Sequence, residues 1–113
     1  MPIALIKLNS SISTEVQKEI VEEAMKILSD TVGKPILYCS TQLVMSIGGF
    51  GGSAKDSAFI DIRSIGGLKG KQEPLSARFC KMLEEKAGIK GDNIYLNFTE
   101  FSTNNWGFNH ETF

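Results

Sequence analysis

The chain has few of the residues that mark metal sites and disulfide frameworks. Its 113 residues include two cysteines, one histidine and three prolines. One histidine and two distant cysteines do not make an ordinary zinc site, so we expect no metal. The cysteines, Cys39 and Cys80, form no C-x-x-C pair. We therefore expect both to be buried apolar side chains rather than redox partners.

Charge of one sign and long apolar runs are also lacking. The formal net charge is −1 with both signs dispersed, and no stretch approaches the roughly twenty apolar residues that a membrane span needs. Without a basic stripe or a polybasic segment, nucleic-acid and membrane partners are not expected. No apolar run after a charged start resembles a signal peptide. These absences predict a cytoplasmic protein, or one released without a signal peptide.

The length of the chain predicts one domain, spanning residues 1–113. A domain of this size has a modest core. Association with other copies would help it to bury more surface.

The first half of the chain predicts a strand, a long helix and a second strand. The strand over residues 1–8 precedes a helix that begins at Thr14, because Thr14 and Gln17 have the spacing of a capping box. The helix ends at Gly33, and the β-rich segment 36–45 follows it. Its apolar residues recur at helical spacing: Val16, Ile20, Val21, Ala24, Ile27 and Leu28.

The second half repeats this order of elements. A strand over residues 58–65 and a glycine-rich turn precede a helix that ends at Gly88, and a strand over residues 93–98 follows. The helix has one apolar stripe: Leu75, Phe79, Met82, Leu83 and Ala87. Large aromatic residues on a polar background in the tail, residues 104–113, indicate that the tail docks on another surface.

These elements predict an α+β fold of two β-α-β units related by a pseudo-two-fold axis. Right-handed crossovers can place both helices on one face of a four-stranded mixed sheet. The other face would be bare, although the strand over residues 1–8 is apolar on both of its faces. We therefore predict a closed homo-oligomer in which sheets pack together and the tail of one subunit adds to its neighbour's sheet edge.

Pro2 becomes the N-terminus if the initiator Met1 is removed. It would then carry a secondary amine whose lone pair can accept a proton from carbon. Burial and a neighbouring cation both lower the pKa of an amine, toward the range in which a general base operates. The alternative is an ordinary proline at the start of an edge strand.

The glycine-rich segments do not predict a cofactor site. Residues 49–54 fit a loose G-x-G-x-x-A pattern, but a strand and not a helix is expected to follow them. Residues 66–72 lack the spacing and the Ser/Thr of a phosphate-binding P-loop. We expect no cofactor.

Six short motifs occur in order along the chain. They are Met1-Pro2, Gly33-Lys34-Pro35, Phe50-Gly51-Gly52-Ser53, Ser64-Ile65-Gly66, Tyr95-Leu96-Asn97 and the Asn109…Thr112-Phe113 ending. Together they resemble the macrophage migration inhibitory factor family of the tautomerase superfamily, and the likeness runs essentially end to end. The resemblance implies a homotrimer of β-α-β-β-α-β subunits. It also implies a cofactor-free keto–enol tautomerase, an isomerase acting on aromatic α-keto acids such as phenylpyruvate or on dopachrome-like compounds.

The resemblance also implies which residues act on the keto group and the carboxylate of such a substrate. Pro2 would be the base, and Lys34 would hold the substrate carboxylate and disfavour protonation of the proline nitrogen. Ser64 and Ile65 would form a pocket wall, with the Ile65 backbone N–H on the carboxylate. The alternatives are a helix-end lysine that complements the helix dipole and a plain strand end.

The rest of the implied pocket comes from strand four and the tail. Tyr95 and Asn97 would reach in from the adjacent subunit, and Trp106 and Phe113 would receive the substrate ring. Cross-strand polar residues and ordinary aromatic packing are the alternatives.

Three differences from animal members of the family limit the activities and the pocket shape that we expect. Residues 57–60 stand where vertebrate members have a C-x-x-C, so thiol oxidoreductase activity by that route is not expected. Residues 106–108 read Trp-Gly-Phe instead of Val-Gly-Trp, which predicts a different pocket mouth. Residues 10–12 offer no arginine to match the basic residue linked to receptor binding. A signalling or binding protein with a vestigial pocket is the alternative function, and a purely structural trimer is a third.

Overall fold

A four-stranded mixed sheet carries two long helices on one of its faces in the computed structural model, which describes residues 1–113. The helices are α1 (Thr14–Val32) and α2 (Gln72–Ala87). The strands are β1 (Ile3–Leu8), β2 (Ser40–Met45), β3 (Gly49–Phe50), β4 (Ser53–Ala54), β5 (Ala58–Ser64), β6 (Ile94–Glu100), β7 (Gly107–Phe108) and β8 (Glu111–Thr112). None of the helices is both long and apolar enough to cross a membrane.

The order of strands in the main sheet is β2-β1-β5-β6. The β1–β2 and β5–β6 pairs are parallel, and α1 and α2 supply their crossovers, whereas β1 and β5 run antiparallel in the middle. Two β-α-β units therefore meet at a central antiparallel pair. The predicted α+β class and the pseudo-two-fold arrangement are confirmed.

The hydrophobic core lies between the helices and one face of the sheet. Ala4, Ile6 and Leu8 of β1 are at most 1% exposed, and they sit opposite buried residues of β5. The buried residues of the helices complete the cluster: Ile20, Ala24, Ile27, Leu28, Val32, Leu75, Phe79, Met82 and Leu83. Each fully buried large apolar side chain contributes roughly 1.5–3 kcal/mol relative to exposure. Both helical stripes are confirmed as core faces.

The ends of the helices follow local chemistry. The N-cap of α1 is Ser13 and not Thr14, because Ser13 has extended backbone and its Oγ accepts a hydrogen bond from the Val16 N–H. The predicted N-cap was therefore wrong by one residue, and no capping box forms, because the residue three positions after Ser13 is Val16. Gly33 and Gly88 adopt the left-handed conformation, with φ of 77° and 66°, and end the helices as predicted.

The segment predicted as one strand over residues 36–45 has two parts. Pro35 precedes a short 3₁₀ turn, Ile36–Tyr38, in which the Tyr38 N–H donates to the Pro35 carbonyl at 3.0 Å. Only Ser40–Met45 joins the sheet. The prediction was wrong for residues 36–39, because proline favours the first position of a turn and the local hydrogen bonds replace the sheet ladder there.

No part of the chain covers the second face of the sheet. Ile3 and Leu5 are half-buried on this face, while Phe59 is 41% exposed and Tyr95 is 66% exposed. An uncovered apolar face of this kind is what the predicted sheet-to-sheet association requires. The homo-oligomer itself stays a prediction.

The tail folds back on its own protomer. A 3₁₀ turn, Thr103–Asn105, leads into the β7–β8 hairpin, whose two-residue loop is Asn109 and His110. The ring of Phe108 meets Tyr38 edge to face, with 6.0 Å between the ring centroids. The predicted docking of the tail is thus seen within one protomer, and its addition to a neighbour's sheet edge stays a prediction.

Candidate active site

A cavity of about 220 Å³ opens beside the N-terminus, with a mostly apolar lining. Its walls come from the start of β1, from the segment between α1 and β2 and from the tail. The residues that decide its character are Pro2, Tyr38, Cys39, Trp106, Phe108 and Phe113. Three segments distant in sequence therefore bring Pro2, Trp106 and Phe113 to one place.

Aromatic rings build the wall that faces Pro2. Phe108 and Phe113 stack with centroids 5.3 Å apart and planes at 20°, and Trp106 meets Phe101 edge to face at 6.0 Å. The Phe113 N–H donates to the Trp106 carbonyl at 3.1 Å and joins the end of the chain to its own hairpin. Such a wall offers flat apolar surface to a ring-bearing ligand.

Burial and charge act together at the N-terminal amine. Pro2 is fully buried, and its carbonyl accepts a hydrogen bond from the Ser40 N–H at 3.2 Å. Burial lowers the pKa of the amine, the positive charge of Lys34 lowers it further, and Cys39 acts in the opposite direction. In this structure the amine belongs to Met1 and the Pro2 nitrogen is an amide, so Pro2 can act as a base only after Met1 is removed.

Lys34 follows Gly33 at the end of α1, and its side chain contacts the turn after β5. Its Nζ donates a hydrogen bond to the Ile65 carbonyl at 3.1 Å, while its own carbonyl accepts one from the Ser29 hydroxyl at 2.7 Å. The first contact joins the end of α1 to the turn after β5. A lysine that only complemented the helix dipole would lie along the last carbonyls of α1, and Lys34 does not.

Ser64 and Ile65 lie at the end of β5, beside the N-terminus. β1 and β5 are antiparallel and Ile3 pairs with Arg63, so the residues that follow Arg63 lie next to the start of β1. Ser64 is fully buried, and its hydroxyl has no hydrogen-bond partner. Neither residue lines the cavity. The Ile65 carbonyl accepts the hydrogen bond from Lys34, and Ser64 is the residue before it.

Tyr95 and Asn97 lie outside the cavity of their own protomer. Tyr95 pairs with Phe59, which pairs with Lys7, so Tyr95 sits two strands across and four residues along from Ile3. At about 3.3 Å per residue and about 4.8 Å per strand, that separation is about 16 Å. Tyr95 packs against Phe50 instead, at 4.8 Å between rings, in an open groove of about 720 Å³.

The structure adds Tyr38, Cys39 and Phe108 to the residues around Pro2. The resemblance had pointed to residues 106–108, and so to Phe108, at the pocket mouth. Tyr38 and Cys39 were missed. Tyr38 comes to the N-terminus on the 3₁₀ turn, and Cys39 lies beside Pro2 because Ile3 pairs with Ser40. Proline before a short apolar segment was the signal that could have revealed the turn.

The two cysteines differ in exposure. Cys39 is buried, as predicted, and its thiol donates to the Pro35 carbonyl at 3.6 Å. Cys80 is only half-buried at the edge of the core. Burial raises the pKa of both thiols, and for Cys80 the negative charge of Glu84 adds to that effect.

The glycine-rich segment forms the β3–β4 hairpin, and strand β5 follows it. A dinucleotide fingerprint requires a helix at that place. No three side chains of the types His, Cys, Asp and Glu come close enough together to hold a metal ion.

Comparison with known proteins agrees with the fold. The family model of the macrophage migration inhibitory factor matches residues 1–113. The chain belongs to the macrophage migration inhibitory factor family. This family is part of the tautomerase superfamily, and the resemblance predicted from the six motifs is confirmed.

Relatives in this family match the chain over its whole length. A macrophage migration inhibitory factor homolog of Trichuris trichiura is 30% identical and is covered completely, as is this chain. The crystal structure of a macrophage migration inhibitory factor-like protein from Entamoeba histolytica is 65% identical, with a TM-score of 0.98 over 99% of this chain and 98% of that one. The structure of Pt0534 inactivated by 2-oxo-3-pentynoate is 19% identical, with a TM-score of 0.83 over 94% and 91% of the two chains, and this likeness concerns the fold alone.

Proposed function

We propose that this protein is a cofactor-free keto–enol tautomerase in which Pro2 is the general base once Met1 has been removed. One observation carries the proposal. Pro2 is buried in an apolar cavity, and at this N-terminus burial and Lys34 lower the pKa of the Met1 amine, which Pro2 would replace after trimming. A neutral amine at physiological pH is the state that a general base needs, and such a base contributes typically 10²–10⁴-fold to a rate.

The reaction moves one proton within the substrate. The Pro2 nitrogen takes a proton from the carbon next to the keto group, and the electron pair of that C–H bond forms the C=C bond of the enolate. The same nitrogen then returns the proton to the enolate oxygen, so the product is the enol and the amine is neutral again. Nothing is oxidised overall, and no cofactor takes part.

Lys34 and the Ile65 N–H are proposed to hold the substrate carboxylate. An ammonium group has three N–H donors, so Lys34 can keep its bond to the Ile65 carbonyl and still donate to a carboxylate. Ser64 would support this turn as part of the pocket wall. The same positive charge keeps the proline nitrogen deprotonated, which couples substrate binding to the activity of the base.

The aromatic wall supports a ring-bearing substrate. Trp106 and Phe113 face Pro2 across a cavity of about 220 Å³, with Phe108 stacked on Phe113. An aromatic α-keto acid such as phenylpyruvate, or a dopachrome-like compound, would place its ring on this wall and its carboxylate toward Lys34.

A homotrimer is proposed to complete the site. Tyr95 and Asn97 are displaced from Ile3 by two strands and by four and two residues, so one protomer does not bring them to its own Pro2. Both lie on the uncovered face of the sheet, which is where a neighbouring sheet would pack. In the trimer they would border the Pro2 cavity of the adjacent subunit.

The direct test measures phenylpyruvate tautomerisation by protein whose intact mass shows that Met1 has been removed. Pro2→Gly should lower the rate by about 100-fold or more, because it replaces the ring-held secondary amine. A form extended by one uncleaved residue before Pro2 is the matched control, since it keeps the fold but holds Pro2 as an amide. Unchanged turnover in either protein would remove Pro2 from the mechanism. No turnover by the trimmed wild type on any enolisable keto acid would favour the signalling or binding alternative.

The reagent named for Pt0534 offers a covalent test. An amine can add to the alkyne of 2-oxo-3-pentynoate. The N–C bond forms as one π bond of the alkyne breaks, and the N–H proton moves to the carbon next to the keto group, so no atoms are lost. The trimmed protein should gain the mass of one reagent molecule on its N-terminal peptide and lose activity in parallel. Label on the Cys39 peptide instead would contradict the assignment of Pro2 as the reactive group.

Mixing two inactive variants tests the shared site. Pro2→Gly subunits keep Tyr95 and Asn97, and subunits with Tyr95→Ala and Asn97→Ala keep Pro2. After subunit exchange, some interfaces combine an intact Pro2 with intact neighbouring residues, so activity should reappear. No recovery in demonstrably mixed trimers would mean that the site lies within one protomer.

A further inference from the structure

Gly67 lies against the side chain of Lys34. A Cβ atom at Gly67 would stand 3.2 Å from Lys34 Cε and 3.1 Å from Val32 Cγ1, which is closer than ordinary van der Waals contact. Val32 and the Lys34 stem thus fill the space in which a side chain at residue 67 would lie. The Nζ at the end of that stem is bonded to the Ile65 carbonyl at 3.1 Å.

Contact, and not backbone conformation alone, distinguishes Gly67 from the glycines around it. Gly66 and Gly70 also have positive φ, 62° and 78°, beside 79° at Gly67. A Cβ at either of these two positions would meet nothing within 4 Å. All three positions favour glycine for its conformational freedom. Only at Gly67 would a side chain also displace Lys34.

We propose that Gly67 is a positioning residue for Lys34. Because glycine has no side chain, the Lys34 stem can lie against residue 67. From there its Nζ donates to the Ile65 carbonyl and its charge acts on the N-terminal amine. This inference rests on the proposed function for its catalytic consequence, but the geometric effect on the amine is independent of turnover. A methyl group at this position would push the Lys34 stem away and misplace the positive charge at its tip.

The environment of the amine makes such a displacement measurable. The titratable groups that face it are Lys34, from the end of α1, and Tyr38 and Cys39, from the segment before β2. Burial is unaffected by a change at Gly67, and Tyr38 and Cys39 stay in place. A change in the titration of the amine would therefore report on the position of Lys34.

The test compares Gly67→Ala with the matched control Gly70→Ala, which introduces the same strain at positive φ, without the contact and away from the peptide that Lys34 binds. The Pro2 nitrogen of ¹⁵N-proline-labelled, trimmed protein is titrated by NMR, and the pH profile of phenylpyruvate turnover is measured in parallel. Gly67→Ala should titrate at higher pH than the wild type, move the acid limb of the profile the same way and raise KM several-fold. Gly70→Ala should leave all three unchanged.

The double variant Gly67→Ala/Lys34→Met shows whether Lys34 transmits the effect. The titration of Lys34→Met should not move further when Gly67→Ala is added. The same titration in Gly67→Ala, Gly70→Ala and the wild type would overturn the inference, as would a shift that persists without Lys34. A wild type without turnover but with the expected titration shifts would support the inference while the proposed function fails.

Folding provides a second readout if Gly67→Ala alone does not fold. Val32→Ala and Lys34→Ala together remove the Cγ1 and Cε atoms that the new methyl group meets. In this background, Gly67→Ala should fold as well as Gly70→Ala. A Gly67→Ala protein that still fails to fold there, while its Gly70→Ala counterpart folds, would overturn the inference.

Discussion

The ammonium group of Lys34 donates a hydrogen bond to the carbonyl oxygen of Ile65 across 3.1 Å, although 31 positions separate the two residues in the chain. The bond joins the end of α1 to the turn after β5, and neither of its residues lines the Pro2 cavity. It holds one positive charge beside the N-terminal amine, where the charge lowers the pKa of that amine.

Lys34→Met should move the acid limb of the activity profile to higher pH. Removal of the cation raises the pKa of the amine, and the amine must be neutral to act as a base, so more alkaline conditions are needed. Loss of a charge-assisted contact to the carboxylate should also lower kcat/KM by about 10-fold to 100-fold. The measurement is kcat/KM for phenylpyruvate across pH.

Two comparisons make the Lys34 experiment specific. Lys34→Arg keeps the charge and should keep the acid limb near its wild-type position. Lys90→Met removes an exposed lysine that forms no ion pair and should change nothing. A profile that is the same in Lys34→Met and the wild type would show that Lys34 does not act on the base.

His110→Gly should make the β7–β8 hairpin more ordered. Asn109 and His110 have φ of 49° and 74°, the conformation of a type I′ turn, in which glycine is favoured at the second position. Relief of this strain stabilises the hairpin by up to about 1 kcal/mol. Hydrogen exchange of the Phe113 amide, which is bonded to the Trp106 carbonyl, should slow.

The opposite substitution at the same position is the control for the hairpin. A β-branched side chain is strongly disfavoured at positive φ, so His110→Val should speed the exchange of the Phe113 amide. Since the hairpin carries Phe108 next to Phe113, KM for an aromatic keto acid should follow the same order among the variants. Equal exchange rates in both variants would show that the turn is not strained.

Phe79→Ala should lower the free energy of unfolding by about 3–5 kcal/mol. Phe79 is 0% exposed in the core between α2 and the sheet, and its truncation leaves a cavity. Phe108→Ala is the matched change at a ring that is 53% exposed, and it should affect KM more than stability. Urea denaturation at fixed protein concentration measures the free energy of unfolding of both variants, and phenylpyruvate kinetics measure KM. Similar losses of stability in the two variants would contradict the assigned core.

Both thiols should react slowly with Ellman's reagent in the native protein at neutral pH. The thiolate is the reactive form, and burial raises the pKa of both cysteines, so the reactive fraction is small and grows as the pH rises. Cys80, which is half-buried, should react before Cys39, and both should react rapidly in guanidinium chloride. Cys39→Ser and Cys80→Ser assign the two phases, and rapid native reaction of Cys39 would contradict its burial.

Elements that depend on local interactions were predicted correctly from the sequence, and an element whose local pattern fits two structures was not. Gly33 and Gly88 were placed correctly as helix ends because a left-handed cap is a local requirement that glycine meets best. The segment 36–39 was placed wrongly because a β-rich composition is shared by strands and by short apolar turns. That error hid Tyr38 from the candidate site, whereas Cys39 lies there through the pairing of Ile3 with Ser40, a register that no local pattern gives.

The amino-acid sequence by itself determined the two amphipathic helices, their glycine ends, the repeated β-α-β order and the family motifs, because each depends on residues close together in the chain. The tertiary structure alone decided that Lys34 reaches Ile65, that the tail lies beside Pro2 and that Tyr95 lies far from it. These relationships depend on the register between β1 and β5 and on how the tail packs, and no local pattern in the chain encodes such distances.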